Sequence, residues 1–193
     1  MVVLGPGTGL GLACHVPRAG APVVIATEGG HATLPASSAR EDAVIEWLRR
    51  RFGHVSAERA LSGHGLENLY RALAALDGAS VPERDATEIT QAGVGATCPV
   101  SRAALDMFCA LLGTFAGNAA LSFGARGGVF IAGGIAPRIV DYLMKSELRA
   151  RFDAKGRFRA YMEAIPVSVI VHPDYAFIGL RSLAERAGKS MPA

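Results

Sequence analysis

The sequence predicts an α/β layered domain on a mixed sheet, and three observations predict it. Three short apolar runs, residues 1–4, 12–16 and 22–27, open the chain with only turns between them, the pattern of a β-meander. Two more apolar runs, 128–132 and 166–171, come much later, and each leads into a stretch of helical periodicity. Strands that alternate with helices bury their faces against them, so a meander opening onto such units gives a sheet of mixed direction with helices on both faces.

Residues 1–4 run into the turn Gly5-Pro6-Gly7-Thr8-Gly9-Leu10-Gly11, and the extended pattern resumes at Leu12. Residues 38–52 read as a helix: Ser38 is placed to cap it, with Glu41 three residues on. Val44, Trp47, Leu48 and Phe52 share one face, and Gly53 stops it. A helical insertion follows over about 56–95, in short pieces broken at Gly63, Gly65, Gly78 and Pro82, with Ser56 and Ser62 at cap positions. Pro99 opens a long apolar helix to about Phe123. After the break at Gly133-Gly134, Pro137 starts another helix that runs to about Met144. The stretch 145–160 is the most charged part of the chain and is expected on the surface, and a helix over 176–187 closes the domain. At 193 residues the whole chain is expected to form one domain.

Composition excludes several classes of function. Half the residues are hydrophobic and 19% are charged, which excludes a mostly disordered chain. The net charge of +3 is too small to suggest a nucleic-acid partner, and the basic triplet Arg49-Arg50-Arg51 reads as a solvated helix face. Cys14, Cys98 and Cys109 form no C-x-x-C pair and have no histidine at ligand spacing, so neither a zinc site nor a disulfide framework is expected, and a reducing compartment fits. The start MVVLGPGTGLG has no basic leader, so it does not read as a signal peptide. Residues 107–125 are uncharged and long enough to span a bilayer, but Thr114, Asn118 and Ser122 suit a fully buried helix better, and no membrane partner is expected.

Four segments carry chemistry. In Gly5–Gly11 the alternating glycines let backbone N–H groups turn inward to hold an anion, with the Thr8 hydroxyl as a further donor; the spacing is that of neither a Walker A loop nor a Rossmann fingerprint, and a plain hairpin turn would use the same residues. In Thr27-Glu28-Gly29-Gly30-His31 a carboxylate and an imidazole three apart can face one cleft and bond to hydroxyls. In the third segment, 53–66, Glu58 stands in the first turn of a helix, where its charge is favourable in any case. In Phe130-Ile131-Ala132-Gly133-Gly134-Ile135-Ala136-Pro137 a buried strand ends in two glycines that let a flat group approach the backbone.

Together and in this order the four resemble the bacterial glucokinase family, within the hexokinase/actin-like ATPase fold. GPGTGLG is similar to that family's second phosphate loop, EGGH and HVSAERALSGHGL to its sugar-binding segments, and FIAGGIAPR to its adenosine segment. The resemblance extends through GTFAGNAALSFGARGG and IPVSVIVHPDYAFIGL, over about residues 2–186. It implies a ribonuclease H-like, actin-like ATPase lobe and the phosphorylation of glucose to glucose 6-phosphate by ATP, with Mg²⁺ carried on the nucleotide. Glu28, His31 and Glu58 would hold glucose hydroxyls; Gly7, Thr8 and Gly9 the phosphates; Gly133, Gly134 and Ile135 the adenosine. A homodimer in the cytoplasm is implied as well.

Two departures qualify what the resemblance implies. The cysteine-rich zinc segment of the related ROK group is missing, which places the chain with the zinc-free glucokinases and leaves no metal ligands of its own. The family's first lobe, with an Asp-Gly-Gly-Thr-type phosphate loop and the Asp that serves as base for the sugar hydroxyl, has no counterpart either, so the chain is expected to be the C-terminal large lobe and nearly inactive alone. Asp42 and Asp106 are the nearest stand-ins for that base, and neither is expected to serve. The alternative is a non-catalytic sugar-sensing or regulatory module derived from a sugar kinase, which would keep the same three sugar-binding residues.

Overall fold

A computed structural model describes residues 1–19 and 22–189, with the backbone alone for 186–189. β1 (Val2–Pro6) pairs antiparallel with β2 (Leu10–Val16), and β2 pairs antiparallel with β3 (Val23–Thr27). β4 (Val129–Ile131) lies parallel to β1 and β5 (Val167–Val169) parallel to β4, giving the order β3-β2-β1-β4-β5. This is the predicted mixed sheet with its opening meander. The glycine-rich turn is shorter than its composition suggests. Gly5 pairs with Gly11 and Pro6 with Leu10, so only residues 7–9 are left to reverse the chain.

The register sets the core. Val2, Leu4, Leu12, Cys14, Val129 and Ile131 share one face of the sheet and are all buried. Over that face lie α1 (Ala39–Phe52), α2 (Gly63–Leu76), α3 (Ala86–Val94) and α4 (Pro99–Ser122), with Tyr70 and Phe108 fully enclosed. Ser38 caps α1 by accepting from the Glu41 N–H, as predicted, and Ser62 caps α2 by accepting from Gly65. Gly63 and Gly65 therefore lie inside α2 rather than breaking it. Ser56 precedes only a 3₁₀ turn and makes no side-chain cap bond. α4 is long and apolar enough to cross a membrane, but 83% of its apolar window is buried within this fold, the role predicted for it. The three cysteines are buried and unpaired.

Three expectations are revised. The charged stretch 145–160 is at the surface, as expected, at Lys145, Glu147, Arg157 and Arg159, which are exposed, but it also packs inward. It holds α6 (Leu148–Asp153), whose Leu148 and Phe152 enter the core, between α5 (Val140–Lys145) and α7 (Arg159–Glu163). Gly113 makes this possible, because a Cβ there would stand 2.1 Å from the Leu148 carbonyl. Some of its charges find partners inside: Arg151 pairs with buried Glu41 at 2.7 Å and donates to Thr114, and Arg149 donates to the carbonyls of Met162, Glu163 and Ile165. Lys155 bonds to Asn118 at 2.9 Å, and burial, with Arg151 alongside, holds its ammonium below the usual lysine range.

Helices were expected on both faces of the sheet, yet the two helical excursions, β3 to β4 and β4 to β5, enter the same core cluster. Among the described residues the other face stays open: Val3, Ala13 and Phe130 are partly exposed, and α8 (Tyr175–Lys189) leaves Phe177 72% and Leu180 61% exposed. For the same reason β5, at the sheet edge, is only half-buried instead of the buried strand expected.

Candidate functional site

Because β2 alone among the described strands runs antiparallel to the rest, β1, β3, β4 and β5 all end at one edge of the sheet. Beyond carboxyl ends of strands is where an open α/β sheet leaves a crevice. Here the crevice is a cavity of about 490 Å³ that gathers eight of the nine residues singled out above: Gly7, Thr8, Gly9, Glu28, His31, Glu58, Gly133 and Gly134. Ile135 faces a second cavity, about 530 Å³, which shares Gly134 with the first and is otherwise walled by α3 and Arg138.

Each side chain is positioned by local chemistry. At the end of β3 the Thr27 hydroxyl donates to the Leu12 carbonyl and accepts from the Gly29 N–H, starting the 3₁₀ turn Gly29–His31. A second 3₁₀ turn, Ala57–Arg59, holds Glu58. The two turns are tied to each other. Ala57 N–H donates to Ala32 O at 2.9 Å, Leu34 N–H to Val55 O at 3.0 Å, Thr33 bridges to Ser56, and the Thr33 hydroxyl meets His54 Nε2 at 3.1 Å.

The phosphate-loop candidate is tied to the same assembly. Glu58 Oε2 accepts from the Leu10 N–H at 2.8 Å, and Gly63 N–H donates to Gly7 O at 2.8 Å. Gly7 spends its own N–H on Gly9 O, so this loop's free donors are the N–H groups of Thr8 and Gly9 and the Thr8 hydroxyl. Gly7 therefore shapes the cradle but gives no donor to it. Across the cavity Gly133 has φ +83°, and a Cβ there would stand 2.3 Å from Pro6 O, so only glycine fits. Its N–H donates to the Tyr175 hydroxyl at 3.2 Å.

This arrangement can hold a polyol and an anion side by side. Glu28 and Glu58 are acceptors for hydroxyls, His31 is an acceptor or donor, and the turn offers N–H groups to an oxyanion. Among the described residues no group of three or more His, Cys, Asp or Glu side chains is placed to hold a metal ion. Neither spare aspartate is near. Asp42 is on the exposed side of α1, and Asp106, on α4, accepts from the Tyr142 hydroxyl at 2.5 Å and faces Arg102 at 3.6 Å. Burial and Asp106 together push the Tyr142 phenol above its ordinary range.

Sequence reasoning missed three participants. Tyr175 follows the last strand end, which was the available signal. The α3 wall of the second cavity, Thr87, Thr90, Gln91 and Val94, has no motif. The Leu10 N–H is a backbone group that no side-chain pattern reports.

Known proteins match this chain along nearly its whole length. The family model described as Glucokinase matches residues 1–187. A curated glucokinase of Paramagnetospirillum magneticum is 52% identical over 184 residues, covering 95% of this chain and 57% of that protein. One from Caulobacter vibrioides is 50% identical over 181 residues, covering 93% and 54%. The crystal structure of a glucokinase from an Antarctic psychrotroph superposes with a TM-score of 0.85 at 39% identity, covering 90% of this chain and 54% of that one. A Balamuthia mandrillaris glucokinase, solved with glucose, shares the fold with a TM-score of 0.77 at 24% identity, covering 89% and 50%. The chain thus spans little more than half the length of these relatives.

Proposed function

The chain belongs to the glucokinase family, and from that premise we propose that it serves the ATP-dependent phosphorylation of glucose, as the C-terminal large lobe that holds both substrates. The observation that carries this reading is the 2.8 Å bond between Glu58 Oε2 and the Leu10 N–H. It locks a sugar-holding carboxylate to the backbone of the phosphate turn, so the two substrates would meet in one cavity. Glu28, His31 and the second oxygen of Glu58 bind glucose hydroxyls.

Thr8 and Gly9 receive the phosphates, and the cavity lined by Ile135 and α3 takes the adenosine. ATP supplies the phosphoryl group, and Mg²⁺ comes bound to its phosphates. The chain's part is positioning and charge stabilisation, which is most of what phosphoryl transfer asks of a protein. The proton acceptor for the glucose hydroxyl comes from another segment, because the carboxylates lining the cavity, Glu28 and Glu58, are both occupied with the sugar. A homodimer and a cytoplasmic setting complete the reading; both come from the resemblance.

The test is calorimetric titration of the purified chain with glucose, beside Glu58→Gln, together with glucose-dependent ADP formation in Mg-ATP. Glucose should bind, and bind at least tenfold more weakly to the variant. Turnover should stay near background, since a positioned general base typically contributes about 10²–10⁴-fold. No glucose binding would sink the proposal. Robust turnover abolished by Glu28→Gln would keep the activity and discard the division of labour.

A further inference from the structure

We propose that Tyr175 is a nucleotide-binding residue whose hydroxyl donates to a phosphate oxygen of the bound nucleotide. This rests on the reading of the cavity as a nucleotide site and deepens it. Four observations carry it. Tyr175 opens α8 just past β5, so it stands at the edge where β1, β3 and β4 also end. It lines the same cavity as Gly7, Thr8 and Gly9. Its hydroxyl oxygen is 3.2 Å from Gly133 N and accepts that N–H. Gly133 itself is at φ +83° and packs closely beside the Pro6 carbonyl.

The chemistry follows from the inventory of a phenol. An oxygen that accepts one hydrogen bond still carries its own proton to donate. With Gly133 N–H bonded to the oxygen, that proton is polarised, and a chain of two such bonds is stronger than its parts. The two turns lie side by side: a Cβ on Gly5 would be in ordinary contact with Gly133 N at 3.8 Å, and one on Gly7 with Gly134 N at 3.8 Å. The hydroxyl therefore stands at the seam between the phosphate turn and the Gly133-Gly134 turn. The turn itself is short of donors, because Gly7 and Leu10 have spent theirs. Tyr175 extends the Gly133 donor into the space where phosphate oxygens would lie.

The experiment compares ADP and adenosine binding to the full chain and to Tyr175→Phe by calorimetry, with melting temperatures recorded for both. Tyr175→Phe keeps the ring, and the ring is partly exposed, so the variant folds. Loss of a hydrogen bond to a charged oxygen predicts roughly tenfold weaker ADP binding, with adenosine binding unchanged. Unchanged or tighter ADP binding would overturn the inference, the latter because it would show the hydroxyl competing with phosphate for Gly133. An equal loss for ADP and adenosine would overturn it too, since the hydroxyl would then only be shaping the Gly133 turn. These three results leave the nucleotide site standing. Failure of the unsubstituted chain to bind either compound removes the site and the inference together.

Discussion

The cavity holds two carboxylates of the same kind in opposite surroundings. Glu58 and Glu28 both stand at 3₁₀ turns, Ala57–Arg59 and Gly29–His31, and the two turns are hydrogen-bonded to each other. Glu58 is fixed by the Leu10 N–H at 2.8 Å. The Glu28 side chain is 92% exposed, and the side chain facing it, His31, is 4.0 Å away and 59% exposed itself. The backbones do not differ in this way. Gly30 is packed so closely under Leu10 that a Cβ would stand 2.0 Å from its carbonyl. The contrast lies in the side chains: Glu58, at the floor of the site, is held by a backbone N–H, and Glu28, at the rim, stands in solvent. A preorganised group gives up less freedom on binding, so more of its interaction appears as affinity.

The sharpest way to break that comparison is to truncate each carboxylate. Glu58→Ala removes a sugar acceptor and leaves the Leu10 N–H unpaired. Charge-assisted bonds are worth about 1.5–3 kcal/mol each, so glucose affinity should fall about a hundredfold. Glu28→Ala removes an acceptor that solvent already surrounds, and the fall should be nearer fivefold, by the usual discount for exposed interactions. Titration of both variants decides it, and equal losses would mean that the floor and the rim do not differ.

A subtler variant moves the floor without touching a sugar ligand. Gly9 lies in the phosphate turn, and a Cβ there would stand 2.5 Å from Glu58 Oε2. The atom in the way is the free end of a flexible side chain, so Gly9→Ala should fold with little change in melting temperature. The carboxylate must swing off Leu10 to make room. Glucose affinity should then drop about tenfold, the value of one charge-assisted bond, although the substitution is in the other ligand's loop. Unchanged glucose binding would show that the turn and the sugar site are independent.

These contrasts were only partly legible in the sequence. The meander was, because alternating apolar runs and glycine turns act over a few residues, and so was the α1 cap at Ser38. The candidate residues were legible as motifs, and the structure brings eight of the nine to one cavity, with Ile135 lining its neighbour. What depends on contacts between distant segments was not. The run 145–160 is largely exposed, as its dense charges suggested, but the inward turn of Arg151 and Lys155 was not legible, because their partners, Glu41, Thr114 and Asn118, lie on α1 and α4. One-sided packing of the sheet was invisible for the same reason. The bond that orders the floor joins a backbone N–H to a carboxylate 48 residues away, and nothing in local pattern announces it.

The smallest expected effect tests whether the rim borrows its order from the floor. Thr33 follows His31 by two residues, and its hydroxyl meets His54 Nε2 at 3.1 Å on the strand-like bridge to Ser56. Thr33→Val keeps the shape and deletes that bond. The bond is exposed, and a neutral hydrogen bond adds about 0.5–1.5 kcal/mol at most, so the backbone bonds of Leu34 and Ala57 should hold the turns together without it. Glucose affinity should fall about twofold and no further, with the melting temperature nearly unchanged. A loss as large as that of Glu58→Ala would mean that the Thr33 link, rather than the Leu10 N–H, sets where the floor carboxylate stands. The ordered floor would then be a property of the joined turns and not of the phosphate loop.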